Sequence, residues 1–223
     1  MRGQAGWVFA ATLAFVAGFV DTVGFIGLFG LFTAHVTGNF VLIGASIAGS
    51  ATGVFAKLLA LPIFIGVVAI TAVYARHCER TSRAAAPAVL SAQLVLLGGF
   101  LGAGVLFAPF TEGNAPFAIL TGMIGVAAMA VQNAAARTVF SELSPTTVMT
   151  GNVTQIVIDV VTLGEGALAR LSKMIPPVLA FAAGAIGGGV AFAAAGFLSL
   201  SVPILGLGAL LAASMRLRTI KTA

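Results

Sequence analysis

The chain has 223 residues, of which 60% are hydrophobic and only 8% are charged, and its mean hydropathy is +1.13. A soluble domain needs a charged, solvated surface, so this composition excludes one and predicts a polytopic membrane protein with helical spans. The formal net charge of +5 then indicates lysine and arginine in cytoplasmic loops rather than nucleic-acid binding.

The first half of the chain, residues 1–110, contains three long apolar runs and one short one. The predicted spans are residues 7–32, 54–74 and 85–107, and the short segment is residues 39–49. A polar interruption at residues 33–40 separates the first span from the short segment. A charged loop follows the second span, and we expect Cys78 in it to be a reduced thiol, because a single cysteine cannot form an internal disulfide.

The second half, residues 111–223, repeats this plan. Its predicted spans are residues 117–140, 177–196 and 198–215, and its short segment is residues 152–163. Both halves carry Thr-Gly-Asn just before the short segment, and the two copies lie 113 positions apart, from Asn39 to Asn152. Together the pattern and the shared tripeptide predict an internal repeat.

The length of the short segments and the placement of charge together predict six crossings rather than eight. Each short segment has about ten residues, whereas a crossing helix needs ~20, so both are predicted to be re-entrant half-helices. With six crossings and a cytoplasmic N-terminus, every basic residue except Lys57 is cytoplasmic. With eight, four of them would move outside: Arg76, Arg80, Arg83 and Arg137. The positive-inside rule therefore favours six, with both termini cytoplasmic.

Three crossings per half is an odd number, so the second half enters the membrane from the opposite face. The predicted fold is an all-α polytopic membrane protein of two inverted repeats. Each repeat has three transmembrane helices plus a re-entrant half-helix preceded by a Thr-Gly-Asn break.

The two breaks are the predicted substrate site. Non-helical backbone inside a membrane leaves amides and carbonyls unpaired unless protein or a water-filled cavity covers them, and open amides at a helix start attract anions. We expect the breaks to face each other near the midplane, their threonine and asparagine side chains acting as caps. The predicted substrate-binding residues are Thr37, Gly38, Asn39, Thr150, Gly151, Asn152, Gln155 and Asn133. The alternative is that each Thr-Gly-Asn is only a capped turn between helices.

Three titratable residues are predicted to couple protons or to gate the site. Asp21 lies mid-span, where an ionised carboxylate is unfavourable, so it is either functional or a hydrogen-bonded packing acid. His35 lies inside the first break and is either a proton-sharing group or an interfacial histidine. Asp159 shares a helical face with Asn152 and Gln155, and this polar stripe either lines a cavity or packs against polar groups such as Asn133.

Several motifs resemble the YoaK-like family of small bacterial inner-membrane proteins, a domain of unknown function. They are Gly18-Phe19-Val20-Asp21, residues 32–39, Gln132-Asn133-Ala134-Ala135, residues 147–152 and Asp159. The resemblance covers essentially the whole chain and implies about six spans in a bacterial inner (plasma) membrane. It implies no substrate and no catalytic residues. A looser, architectural similarity is to the uracil and sulfate-type transporters, which hold substrate between two facing half-helices of inverted repeats.

The predicted function is a secondary membrane transporter or exporter of a small polar or anionic solute, with proton coupling as a further expectation. The alternatives are a channel that uses the two breaks as a filter, and a structural or assembly protein whose polar residues only lock helices together. No catalytic motif or metal-ligand cluster is recognisable, so we expect no enzyme activity, cofactor or metal. The expected partners are the lipid bilayer and the solute but not nucleic acid, and the small size and glycine-rich faces are compatible with a homodimer.

Overall fold

The computed structural model describes residues 4–49 and 52–222, and every regular element within them is a helix. The α-helices are α1 (Gln4–Gly27), α2 (Gly38–Ile47), α3 (Val54–Arg80), α4 (Ala86–Phe107), α5 (Pro116–Thr138), α6 (Met149–Thr162), α7 (Ala167–Ala195) and α8 (Ser201–Thr222). A short 3₁₀ helix, Gly196–Leu200, joins α7 to α8. This agrees with the predicted all-helical fold, since in lipid a helix satisfies its own backbone hydrogen bonds.

Five helical stretches in the described residues are long and apolar enough to span a membrane. They are Gly6–Gly27, Val54–Arg80, Ala86–Phe107, Pro116–Thr138 and Ala167–Arg216. The last stretch has 50 residues and contains α7 and most of α8, with Gly196 at φ +54° between them. The helices are therefore compatible with a multi-pass membrane protein, as the composition predicts.

The first span ends five residues before its predicted limit at residue 32. Phe29 and Gly30 both have positive φ, and the Gly30 N–H donates to the Phe25 carbonyl. This is a Schellman turn, which closes a helix by satisfying its last carbonyl groups.

The loop predicted after the second span is instead helical, because α3 continues to Arg80. A turn of the same kind ends it, with Ser82 at φ +53° and the Arg83 N–H donating to the Cys78 carbonyl. Cys78 is consequently buried in the last turns of α3, so the prediction of a loop thiol is wrong. The seventh helix likewise begins at Ala167 rather than at residue 177.

The six long helices alternate in direction. Gln132 of α5 donates to the Leu13 carbonyl of α1, while Gly122 of α5 abuts Leu31, so α1 and α5 are antiparallel. Matching contacts orient the other helices: α1, α4 and α7 run one way, and α3, α5 and α8 run the other. We call the end where α1 begins the N-terminal end, and the end where α1 stops, beside Gly113, the Gly113 end.

The central helices are α1 and α5. In each of them 67% of the most apolar 18-residue stretch is buried inside the protein, whereas in α3 only 17% of that stretch is buried. The short helices lie off this centre, with α2 packed on α3 and α6 packed on α7. At 1.5 Å per residue, the 10 residues of α2 and the 14 of α6 span about 15 and 21 Å. Neither is long enough to cross the ~30 Å hydrocarbon core of a bilayer by itself.

The closest helix pair is α1 with α7, which run parallel and touch backbone to backbone. A methyl group built on Gly184 would overlap the Phe15 carbonyl, and one on Gly188 would approach the Phe19 carbonyl to 2.8 Å. Small residues at such positions let membrane helices approach closely and gain van der Waals contact. The glycine pair therefore sets the distance between α1 and α7.

We predict that Gly184→Ala destabilises the protein relative to Gly187→Ala. Both changes raise helix propensity by about the same ~1 kcal/mol, but a methyl group on Gly187 meets nothing within 4 Å. Gly184→Ala must instead push α1 and α7 apart, at a cost of about 1–3 kcal/mol. Thermal unfolding of the purified variants in detergent measures the difference, and equal melting temperatures would contradict the close contact.

Candidate functional site

In the structure the first break comprises residues 28–37, the segment between α1 and α2. It folds back onto α1, where Asp21 holds it. One carboxylate oxygen, Oδ1, accepts the backbone N–H groups of Thr33 and Ala34 at 2.7 Å each. The Thr33 hydroxyl donates to the same oxygen at 3.2 Å. Asp21 is only 5% exposed, so these three donors take the place of water around its charge. The acid in the first span thus satisfies backbone amides that the interrupted helix leaves open.

The second carboxylate oxygen of Asp21 orients His35. The two groups lie 2.7 Å apart, from His35 Nδ1 to Asp21 Oδ2, and the ring makes edge contacts with Phe32 and Phe181. No described residue bonds to the other ring nitrogen, Nε2. Every buried side-chain nitrogen and oxygen in the described residues has a partner, so Nε2 must be accessible. A buried carboxylate therefore positions an imidazole whose free nitrogen can meet a ligand.

A cavity of about 580 Å³, which we call the first-break cavity, opens beside this pair. Four of the predicted site residues line it: Asp21, His35, Thr37 and Gly38. The opposite wall comes from α7, through Phe181 and Ala185. Nothing in the local sequence pattern singles out these two residues, because only the packing of α7 on α1 brings them to the break.

Asn39 has a structural role in the first break. Its side chain accepts the Phe32 N–H at 2.9 Å and donates to the Phe32 carbonyl at 3.0 Å, and it is 1% exposed. The predicted cap is absent, since Thr37 occupies the N-cap position of α2 without a capping hydrogen bond. The backbone of Thr37 is already helical (φ −67°, ψ −23°), whereas a capping residue is typically extended, and the Thr37 side chain is exposed at the cavity. Asn39 reaches back across the break.

The second break, residues 139–148 between α5 and α6, has a similar asparagine contact with one hydrogen bond fewer. Asn152 donates to the Pro145 carbonyl at 2.9 Å, again seven residues back, but a proline has no N–H to return the bond. Here α6 already begins at Met149, so Thr150, Gly151 and Asn152 form its first turn. The prediction that Thr150 and Asn152 act as caps is therefore wrong, because Val148 occupies the N-cap position.

A second-break cavity of about 630 Å³ lies beside this break, next to the C-terminal turn of α5. Asn133, Thr147 and Arg137 line it, together with residues of α3. The Thr147 hydroxyl donates to Asn133 Oδ1 at 2.7 Å. Arg137 is exposed there and bonds to no described residue. Asn133 thus lines this cavity, and Arg137 supplies a positive charge beside it. The substrate-binding role of Asn133 stays a prediction.

The two cavities have no lining residue in common. Gln132 ties the second break, through Thr146, to the Leu13 carbonyl of α1, whereas the first break is tied to Asp21. Eight residues of α1 separate Leu13 from Asp21, a rise of about 12 Å. The structure therefore brings Asp21, His35, Thr37 and Gly38 together and groups Asn133 separately. A shared site in which Asn39 faces Asn152 stays a prediction.

The polar stripe on α6 packs against α7 rather than lining either cavity. Asp159 is 1% exposed and receives a two-pronged contact from Arg170, at 2.7 Å from Nη2 to Oδ1 and 2.9 Å from Nε to Oδ2. Gln155 donates to the same carboxylate at 3.0 Å. This ion pair fastens the short helix to the start of α7, so any gating role of Asp159 must act through Arg170.

Sequence reasoning missed Lys57, which it treated as the one basic residue outside the cytoplasm. Its side chain is 2% exposed, and its ammonium group donates to the carbonyls of Phe29 and Thr52. The sequence feature that could have identified Lys57 is its place as a lone lysine between apolar residues at the beginning of a span.

We predict that Asn39→Ala lowers the melting temperature more than Asn152→Ala does. The first change leaves both the N–H and the carbonyl of Phe32 unpaired, whereas the second removes one strong bond, to Pro145. Each buried polar group left without a partner costs about 1–3 kcal/mol. The two purified variants form a matched pair for thermal unfolding, and a larger loss in Asn152→Ala would contradict this account.

Comparison with known proteins leaves the function open. The model of a family described as a protein of unknown function (DUF1275) matches residues 9–213. No curated protein and no solved structure matches the chain. The family match agrees with the resemblance to a domain of unknown function, while the YoaK-like name and the similarity to uracil and sulfate-type transporters stay predictions.

Proposed function

The chain belongs to the DUF1275 family of proteins of unknown function, and we propose that it is a secondary transporter or exporter of a small polar or anionic solute. One observation carries the proposal: the Asp21–His35 pair lines a cavity of about 580 Å³ between two apolar helices. An imidazole fixed by a buried carboxylate can bind a solute or exchange a proton with it.

An inverted repeat is part of the proposal, and the walls of the two cavities support it. Phe181 and Ala185 line the first-break cavity, and Val68 and Ala72, 113 positions earlier in each case, line the second. The same offset relates Asn39 to Asn152, which bond to the residue seven positions back. Asp21 corresponds to Asn133 with a slip of one residue. Each break is thus completed by a span from the other half of the chain.

Re-entrant half-helices also belong to the proposal. The first break returns from Phe29 to the level of Asp21, and α2 then leads back to Gly49, which lines a cavity with Phe29 and Lys57 at the Gly113 end. By the same reasoning α6 begins at the second-break cavity and returns to the N-terminal end, where Arg170 binds it. Six crossings follow, with the two short helices entering from opposite faces.

The proposed orientation puts the N-terminal end in the cytoplasm of a bacterial cell, with the protein in the inner membrane. Seven of the basic residues with described side chains belong to helix ends and loops at that end: Arg76, Arg80, Arg83, Arg137, Arg170, Lys173 and Arg216. Lys57 lies at the opposite end of the bundle, the Gly113 end. This is the asymmetry that the positive-inside rule requires. A homodimer stays a prediction, with the exposed apolar face of α3 available to lipid or to a second copy.

The orientation can be tested with two single cysteines. Glu112 and Arg83 are exposed at opposite ends of the bundle, and the wild-type Cys78 is buried and serves as the blank. We predict that a membrane-impermeant maleimide labels Glu112→Cys in spheroplasts and labels Arg83→Cys only after the membrane is opened. The reverse pattern would invert the topology and with it the assignment of both cavities.

In the proposed cycle the two cavities are the outward and inward positions of the solute. In the first-break cavity, His35 Nε2 meets the solute, and the exposed Thr37 hydroxyl and the start of α2 offer further polar contact. In the second-break cavity, Arg137 offers a positive charge. The Asp159–Arg170 ion pair holds α6 against α7 and must loosen for that break to move. Proton exchange at the Asp21–His35 pair then couples the two positions.

A structural or assembly role is the second candidate, and a specific observation favours it. The side chains of Asn39, Asn152 and Asp159 are almost fully buried, and they form hydrogen bonds with neighbouring groups of the chain. Such residues could lock helices together without any solute. A structural role leaves the accessible Nε2 of His35 unexplained. A channel, the third function, would use the same cavities, but its flux would not saturate with solute concentration.

Flux measurements in proteoliposomes decide among these functions. For a panel of small carboxylates and polar solutes, we predict saturable uptake that depends on a pH gradient. Asp21→Asn and His35→Gln should lower it to near the level of protein-free liposomes, because each removes the proton-exchanging pair. Glu79→Gln, which changes an exposed acid of α3, is the matched control and should transport normally.

Melting temperatures of the same variants separate loss of function from loss of fold. Unsaturated electrical conductance would favour a channel. No flux for any solute, together with lowered stability in Asp21→Asn, would favour the structural role and contradict transport.

A further inference from the structure

Lys57 is a buried cation with no acidic partner in the part of the chain that the structure describes. It is 2% exposed and lies at the beginning of α3, at the Gly113 end. Its ammonium group has three N–H donors, and two of them go to the carbonyls of Phe29 and Thr52. No carboxylate within the described residues forms an ion pair with it. A charge taken out of water without a counter-ion is unfavourable, so this position requires an explanation.

The other half of the chain contains the same arrangement with the acid present. Arg170 lies 113 positions after Lys57, and it donates to the Glu165 carbonyl just as Lys57 donates to Thr52, also 113 positions earlier. Arg170 then places its remaining donors on the Asp159 carboxylate. The two basic residues therefore hold matching loops.

The matching position for Asp159 in the first half is Ser46, which has no charge. The Ser46 hydroxyl donates to the Leu42 carbonyl of its own helix and does not reach Lys57. Leu42 in turn stands where the second half has Gln155, the residue that supports Asp159. The carboxylate that neutralises Arg170 and the amide that supports that carboxylate therefore have no counterparts at the matching positions near Lys57.

A cavity of about 370 Å³ lies beside Lys57. Its lining includes Lys57, Thr52 and Leu42, with Phe25 and Phe29 as apolar walls. It is distinct from the first-break cavity because its lining lacks the Asp21–His35 pair and includes Lys57 instead. A space with one positive charge and aromatic walls suits an oxyanion that carries an apolar body.

We propose that this cavity binds a carboxylate or phosphate anion, whose charge pairs with Lys57 as the Asp159 carboxylate pairs with Arg170. The anion is either a free solute or the headgroup of an anionic lipid, and both present the same chemistry to the ammonium group. The site does not depend on the proposed transport function, because it is defined by binding alone.

The test uses the full chain purified in detergent, with sodium benzoate and sodium phosphate as probes and sodium chloride at equal ionic strength as the reference. At about 100 times the dissociation constant, a bound anion should raise the melting temperature by about 5 °C or more. Lys57→Gln should lose this response. Glu112→Gln, which changes the exposed acid in the loop beside Gly53, should keep it.

Two further variants keep the test decisive if Lys57→Gln does not fold. Ser46→Asp supplies the missing carboxylate, so it should melt higher than wild type without a probe and gain nothing from either probe. Asp159→Ser empties the matching position beside Arg170, so it should melt lower without a probe and gain a response. If wild type responds to benzoate and phosphate no more than to chloride, or if Ser46→Asp keeps the full response, the free-anion site is wrong.

Native mass spectrometry distinguishes the lipid source. Preferential retention of phosphatidylglycerol over phosphatidylcholine in wild type, absent in Ser46→Asp, would assign the anion to a lipid headgroup. Stabilisation by benzoate or phosphate in lipid-free detergent would assign it to a free solute. The absence of both effects overturns the proposal, whereas the absence of solute flux would leave it standing.

Discussion

The structure of this protein depends on one constraint above all: the backbone N–H and C=O groups inside an apolar helix bundle must have hydrogen-bond partners. Each half of the chain interrupts a helix, and each interruption leaves amides and carbonyls without helical partners. In the first break Asp21 accepts two backbone N–H groups and Asn39 bonds to both polar groups of Phe32. In the second, Asn152 bonds to the Pro145 carbonyl. These side chains allow irregular backbone to exist beside buried helices.

The same requirement determines which groups remain for a ligand. Once the backbone is satisfied, the polar groups that still face the cavities include the Nε2 of His35 and the Thr37 hydroxyl in the first-break cavity, and Arg137 in the second. The two cavities thus share a plan but differ in charge, with an acid–histidine pair in one and an amide–hydroxyl pair beside an arginine in the other. In the proposed transport cycle, a solute would therefore meet different partners in the two cavities.

Departures from the proposed repeat are as informative as the positions that follow it. Thr52 and Lys57 correspond to Glu165 and Arg170 and make equivalent backbone contacts, but Ser46 replaces Asp159. Pro145 replaces Phe32 and removes one hydrogen bond. Under the proposed repeat, each such difference marks a place where the two halves present different chemical groups.

The sequence by itself determined the all-helical class, most of the apolar helices long enough to span a membrane, and the positions of Asp21, His35 and the two Thr-Gly-Asn copies in and between those helices. These depend on local composition and on spacing along a helix, which one chain displays directly. Only the tertiary structure decided that Asn39 reaches back across its break instead of capping α2 and that α7 completes the first-break cavity. It also decided that Lys57 is buried with no acid among the described residues beside it. Those facts depend on which helices pack together, because a hydrogen-bond partner or a cavity wall can come from a residue more than a hundred positions away.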